Sequence, residues 1–198
     1  MLKKLIPLTI LALFANVANA TNFSYTSFGM DLGQINVNGL SKELNAYGMN
    51  ASLQIHSNLY LLGSYLSAEK NVNGLDVTRE STQLGIGGAI PLMQFVDGFA
   101  TASYARAAAE DCSKTSCIKA NDHGYVLSAG VKAWLTDSID LLAALGYSEL
   151  TQTNSGNTST KFGIGIWPSK KHRFGLGFIN GERSNSVSIN YTYYPTSK

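Results

Sequence analysis

The 198-residue chain carries 15 lysines and arginines against 13 acidic residues, with 14% charged side chains and a mean hydropathy near zero. That near-neutral balance excludes the basic footprint of a nucleic-acid binder, and the length fits one domain. No stretch beyond the first twenty residues approaches 18 uninterrupted apolar side chains, which excludes membrane-spanning helices.

The N-terminus reads as an export signal. Met1 to Lys4 form a short basic region, Leu5 to Phe14 an apolar run broken by Pro7 and Thr9, and Ala18-Asn19-Ala20 places small residues where a signal peptidase reads. Residues 1–20 are therefore expected to be cleaved, leaving a chain that begins near Thr21. Loss of Lys3 and Lys4 leaves 13 basic against 13 acidic residues, a formally neutral protein. No cysteine stands at the cleavage point to carry lipid.

From Phe23 onward the hydrophobic pattern has period two. Ten strands are expected near 23–35, 43–55, 58–69, 77–89, 97–109, 123–135, 138–150, 158–167, 172–181 and 185–194, with eight as the alternative count. Tyr47, Met49, Ala51, Leu53 and Ile55 alternate with Gly48, Asn50, Ser52 and Gln54. Ile139, Leu141, Ala143, Leu145 and Tyr147 alternate with Asp140, Leu142, Ala144, Gly146 and Ser148. Such alternation is the mark of strands with two unlike faces.

The connections alternate as well. His56-Ser57, Thr136-Asp137 and Pro168 to Lys171 are short and Ile90 to Val96 moderate, whereas 36–42, 70–76, 110–122 and 151–157 are longer and polar. That asymmetry suits a barrel with short periplasmic turns and longer external loops. Phe23, Tyr25, Tyr60, Phe95, Phe99, Trp134, Trp167, Phe174, Tyr193 and Tyr194 fall toward the periplasmic ends. Tyr47, Tyr65, Tyr104, Tyr125 and Tyr147 fall toward the external ends, so two aromatic girdles are expected. In lipid every backbone amide must be paired, so the sheet has to close. The fold expected is an all-β, closed, antiparallel up-and-down transmembrane barrel over 21–194 with a short tail, 195–198. A soluble periplasmic barrel or sandwich, burying the same apolar face inside and binding a small ligand, is the alternative.

The chain resembles the small outer-membrane β-barrel proteins of Gram-negative bacteria, in the broad opacity-protein and adhesin-like grouping, over essentially all of Thr21 to Tyr194. Its last strand, Ser186 to Tyr194, is similar to the C-terminal assembly signal of those proteins, an alternating strand ending in an aromatic residue. The resemblance implies the barrel-assembly machinery as a partner during insertion. The sequence departs from it by continuing through Pro195, Thr196, Ser197 and Lys198.

Cys112 and Cys117 are the only cysteines, and in an exported chain they are expected to form one disulfide at the tip of the longest loop. No metal-ligand spacing accompanies them, and neither a metal nor a cofactor is expected. Asp31, Lys132, Asp140, Lys161 and Arg173 fall on lumen-facing positions. A three-residue turn at Thr136 to Ser138 sets Trp134 opposite Asp140 and makes Lys132 and Asp140 diagonal neighbours. A salt-bridge network holding the barrel is the first reading of these charges, and a lining that selects solutes is the second. Inward Gly85, Gly87, Gly163, Gly165, Gly175 and Gly177 leave space or let Trp134 and Trp167 pack across the lumen. Lys42, Lys70, Arg79, Arg106, Lys114, Lys119, Lys161 and Arg183 lie toward the external ends, among acidic residues, as a mixed solvated rim that could also meet lipopolysaccharide phosphates.

The motifs of barrel enzymes are not reproduced. Asp122 and His123 are adjacent, unlike the spaced pair of omptin-type proteases, and His56-Ser57 falls at a periplasmic turn, the wrong end for lipid A deacylation. The sequence points to a non-enzymatic surface barrel displaying loops for envelope integrity or surface contacts, with outer-membrane lipid, including lipopolysaccharide, as its surroundings. An extracellular partner is left open. A narrow passive pore is the alternative.

Overall fold

The computed structural model describes residues 21–72, 74–152 and 155–195. Ten strands close into one antiparallel barrel: β1 (Ser27–Val37), β2 (Leu44–His56), β3 (Leu59–Val72), β4 (Leu75–Met93), β5 (Val96–Cys112), β6 (Cys117–Thr136), β7 (Ile139–Leu150), β8 (Ser155–Ser169), β9 (His172–Gly181) and β10 (Ser184–Tyr193). Each strand pairs with its neighbours in sequence, and β1 pairs with β10 from Phe28↔Tyr193 to Val37↔Ser184. The expected signal peptide and residues 196–198 of the expected tail lie outside the described residues.

Period two sends alternate side chains to opposite faces of the wall. Phe28, Met30 and Leu32 on β1, Met49, Leu53 and Ile55 on β2, and Phe174, Leu176 and Phe178 on β9 all point outward and are exposed. Asp31, Gly33, Gly48 and Asn50 between them point into the lumen. A soluble barrel hides its apolar face in its interior. Here that face is turned outward around the whole wall, which is the distribution of a barrel surrounded by lipid. Closure pairs the last strand with the first and leaves no unpaired edge within the band.

The two ends are built differently. At the turn end, the strands are joined by residues 57–58, 94–95, 137–138 and 170–171. At the other end, here the loop end, the expected loops over 70–76 and 110–122 are mostly strand. β4, β5 and β6 run for 19, 17 and 20 residues and stay paired out to Asp76↔Cys112 and Cys112↔Cys117. Only residues 113–116 connect β5 to β6, and β3 and β4 stay paired out to Val72↔Leu75, with Gly74 at φ 84°. β3 to β6 therefore rise from the wall as a ribbon, clamped at its tip by the Cys112–Cys117 disulfide. A strand that has left the lipid has water on both faces and needs no alternation, so its polar sequence reads as a loop. Inside the ribbon's base, Leu44, Ala46, Ala68, Val72 and Val77 form an apolar cluster with Ile35, Val37, Leu40 and Leu66. Arg79, expected on the rim, faces the lumen side there and holds Asp111 through two hydrogen bonds of 2.6 and 3.2 Å.

Leu145 is 67% exposed on the outward face of β7, whereas Ala144 points inward. In lipid vesicles, Leu145→Lys is expected to destabilise the barrel by about 2–4 kcal/mol. Urea unfolding measures the difference from wild type. A harmless Leu145→Lys beside a damaging Ala144→Lys would reverse the assigned faces.

Candidate functional site

Parity along the strands also decides which aromatic rings face the lumen. Trp134, Trp167, Tyr60 and Tyr194 share the inward face, and Phe23 and Tyr25 join them from the segment before β1. The expected girdle at the turn end is therefore reduced to outward residues such as Phe95, Phe174 and Tyr193, with Phe95 and Phe174 each 54% exposed. The inward rings form a stack across the bore. Phe23 lies 4.8 Å from Trp134, Trp134 lies 5.1 Å from Trp167, and Trp167 lies 4.6 Å from Tyr194 between ring centroids. Tyr25 stacks on Tyr60 at 4.7 Å. At the loop end, Tyr47, Tyr104, Tyr125 and Tyr147 are exposed on the outward face.

The segment 21–26 was expected to begin the first strand. It leaves the wall instead, because Asp97 gathers it into the lumen. Asp97 is completely buried, and its carboxylate accepts hydrogen bonds from the amides of Asn22 (2.9 Å) and Phe23 (3.1 Å), the Asn22 side chain (2.8 Å) and the Tyr25 hydroxyl (3.4 Å). Hydrogen bonds to an ionised acceptor are the strong ones. They draw Phe23 to 1% exposure under the ammonium of Lys132, whose Nζ stands 4.2 Å above the ring. We call this segment the strap.

A second buried carboxylate completes the layer. Asp140, on β7, is fully buried and receives Nε and Nη2 of Arg173 at 2.8 and 2.7 Å and Nε1 of Trp167 at 2.7 Å. Lys132 Nζ is 3.9 Å away from it, within reach of the Trp167 and Tyr194 rings at 5.6 and 5.5 Å. Arg173 Nη1 also donates to Asn190 at 2.8 Å. The expected register Trp134↔Asp140 and Lys132↔Leu142 is present, but it is reached by a two-residue turn at 137–138, with Thr136 paired to Ile139 and a bulge between Trp134 and Thr136, in place of the three-residue turn expected. Room for the guanidinium comes from Gly165 and Gly175, which pair across β8 and β9: a Cβ at Gly165 would lie 2.2 Å from Arg173 Nε, and one at Gly175 2.6 Å from Nη1. Gly87 likewise yields to the Tyr60 ring, 2.2 Å from where its Cβ would be. Together these groups stop the lumen near the turn end.

Lys132, Asp140 and Arg173 thus form one buried cluster. Asp31 and Lys161 stand apart from it, lining a chamber of about 430 Å³ on the loop-end side of the stopper. Asp31 accepts a hydrogen bond from Asn50 at 2.7 Å. Lys161, placed above on both the lumen wall and the rim, is on the lumen wall and makes no ion pair or hydrogen bond among the described residues. Asp122 and His123 send their side chains to opposite faces of β6, and the Asp122 carboxylate accepts the amides of His123 and Gln152. His56 and Ser57 meet at 3.1 Å at an exposed turn. Glu110, Cys112 and Cys117 cluster as metal-type donors, yet both sulfurs are joined to each other and offer no thiolate. Asp97 and the strap were missed from sequence, since an acid at the start of a strand gives no sign that its partner is a backbone 75 residues away.

No protein-family model and no curated protein matches the sequence. Solved structures do match in shape. The NanC porin aligns over 84% of this chain and 99% of its own, at 6% identity and a TM-score of 0.53. Neisserial surface protein A covers 85% and 94% at 14% identity with a TM-score of 0.49, and the N-terminal β-barrel domain of Pseudomonas aeruginosa OprF covers 85% and 98% at 11% identity with a TM-score of 0.49. At these identities the likeness is one of fold: a closed antiparallel barrel of the outer-membrane kind.

Removing one partner of a buried ion pair leaves the other charge uncompensated. Arg173→Met is therefore expected to cost about 3–5 kcal/mol in urea unfolding, and adding Asp140→Asn should recover a large part of the loss. Equal instability of the single and double variants would show that Asp140 and Arg173 do not act as a pair.

Proposed function

We propose that the chain is a non-enzymatic outer-membrane barrel whose role is structural display: a wall fixed in lipid, a stopped lumen, and a clamped ribbon held clear of the membrane for contacts with lipopolysaccharide or a partner surface. The observation that carries this reading is the combination of an outward apolar wall with a bore crossed near the turn end by a layer of its own side chains. An apolar outer face gives the protein a lipid environment, and the crossing layer gives it no resting route for solutes. What remains exposed to water is the ribbon of β3 to β6. Its paired strands and its disulfide support a rigid contact surface, where sequence led to the expectation of polar loops.

The outward positions of Leu145, Met30 and Phe178 weigh against the soluble periplasmic alternative, in which they would lie inside. The outward face at the loop end carries an ion pair, Lys119 to Glu110 at 2.9 Å, and tyrosine hydroxyls that donate to carboxylates, as in Tyr65 to Glu80 and Tyr125 to Glu149 of β7, both at 2.7 Å. These mixed, mutually satisfied groups favour contact by shape and hydrogen bonding over attraction by net charge.

In cells the protein is expected in the outer-membrane fraction, migrating differently on denaturing gels before and after boiling. Recovery as a soluble periplasmic species would contradict the proposal. In planar bilayers the wild-type barrel is expected to give no discrete channels, and reproducible single-channel steps would refute the stopped lumen.

A further inference from the structure

The stopper has one component that is not part of the wall. Trp134, Trp167 and Tyr194 stand on or directly beside strands, and Lys132, Asp140 and Arg173 belong to β6, β7 and β9. Of the stacked rings, Phe23 and Tyr25 are delivered by the strap, which holds no position in the strand ladder, and Phe23 is the one that joins the layer with Trp134. Asp97 takes four hydrogen bonds from it, Asn22 Nδ2 donates to Met93 O at 2.9 Å, and Gln54 of β2 holds its far end, accepting from Tyr25 N at 3.4 Å and donating its own N–H to Thr26 Oγ1 at 3.1 Å.

Open space lies on both sides of this layer. On the turn-end side is a bowl of about 820 Å³ floored by Phe23, Trp134, Trp167 and Tyr194. On the other side, the chamber of about 430 Å³ runs from Lys132, Arg173 and Tyr194 up to Ile35, Ile179 and Ser186 near the loop end. Tyr194 borders both spaces, so the two are separated by little more than the thickness of the aromatic layer. Phe23 lines the bowl and Lys132, 4.2 Å above its ring, lines the chamber, so withdrawing Phe23 removes a ring that stands between the two spaces.

We propose that the strap is a gate, and that its release turns the barrel into a narrow pore for small anions. The charge on the lining supplies the selectivity. Lys132, Lys161 and Arg173 line the chamber against Asp31 as its acidic member, while Asp140 is buried behind Arg173 and Trp167. Lys161, which feels Asp31 of the same chamber but makes no salt bridge with it, is the cation that a passing anion would meet. A low-dielectric wall around such an excess of one sign raises the local concentration of the opposite ion. This inference rests on the proposed outer-membrane barrel and adds a second, gated state to its closed one.

Planar-bilayer recordings in potassium chloride test it with three proteins: wild type, Asp97→Ala, and Phe23→Ala. A fourth, lacking Asn22 to Tyr25, serves if either point variant fails to insert, with the heat-dependent gel shift as the check on folding. Wild type should be silent, and the released variants should show discrete steps whose reversal potential in a salt gradient lies toward that of chloride. Adding Lys161→Gln to a released variant should move the reversal potential back toward zero selectivity. Released variants that insert, expose the strap to protease and yet stay silent would overturn the gate while leaving the closed-scaffold reading intact. Steps of equal size and frequency in wild type would instead refute the closed scaffold. Steps selective for potassium would overturn the anion assignment.

Discussion

A closed antiparallel ladder has no free edge, and closing it commits every side chain of ten strands to one of two faces. Lipid tolerates neither an unpaired backbone amide nor a charge at mid-depth, so the outward face must be apolar almost throughout. Whatever polarity the strands carry is then forced into the bore. The lumen of this protein follows from that division: its carboxylates, cations and amides have no other place to go, and they must satisfy one another there.

The two buried aspartates meet that demand in different ways. Asp140 takes a bidentate guanidinium and an indole N–H, all from the wall, and so ties β7 to β8 and β9. Asp97 takes backbone amides from outside the wall and so ties a segment outside the strand ladder to β5. Lys132 lies between the two systems, near Asp140 on one side and over Phe23 on the other. Its position couples the rigid network to the strap. The same layer therefore contributes to stability through Arg173 and to closure through Phe23.

The wall was legible in the sequence because its rule is local. Alternation over Tyr47 to Ile55 or Ile139 to Ser148 needs no knowledge of what lies across the barrel, and the strand count, the order and the register of β6 on β7 agree with the structure. Two features were not legible. Residues 110–122 were expected as a loop because a ribbon in water loses the alternation that marks strands in lipid. Phe23 and Tyr25 were expected in a girdle because, outside the ladder, parity no longer says where a ring points; Asp97 decides it, and its partners are distant in sequence. Trp134 and Trp167 illustrate the middle case. They were expected in the turn-end girdle, with packing across the lumen as the other option left by the inward glycines, and the structure takes that option and joins their rings into one layer with Tyr194.

The placement of the two tryptophans offers the most direct measurement of the account, since Trp134 and Trp167 are the only ones in the chain and both belong to the stopper. In vesicles of phosphatidylcholine brominated along its acyl chains, tryptophans that touch lipid lose fluorescence, and those enclosed by the wall are shielded. Quenching of the wild-type barrel should fall well below that of a reporter, Phe174→Trp in a Trp134→Phe, Trp167→Phe background, whose single tryptophan faces outward. Quenching of wild type as strong as that of the reporter would place the tryptophans in a lipid-facing girdle and contradict the stopped lumen.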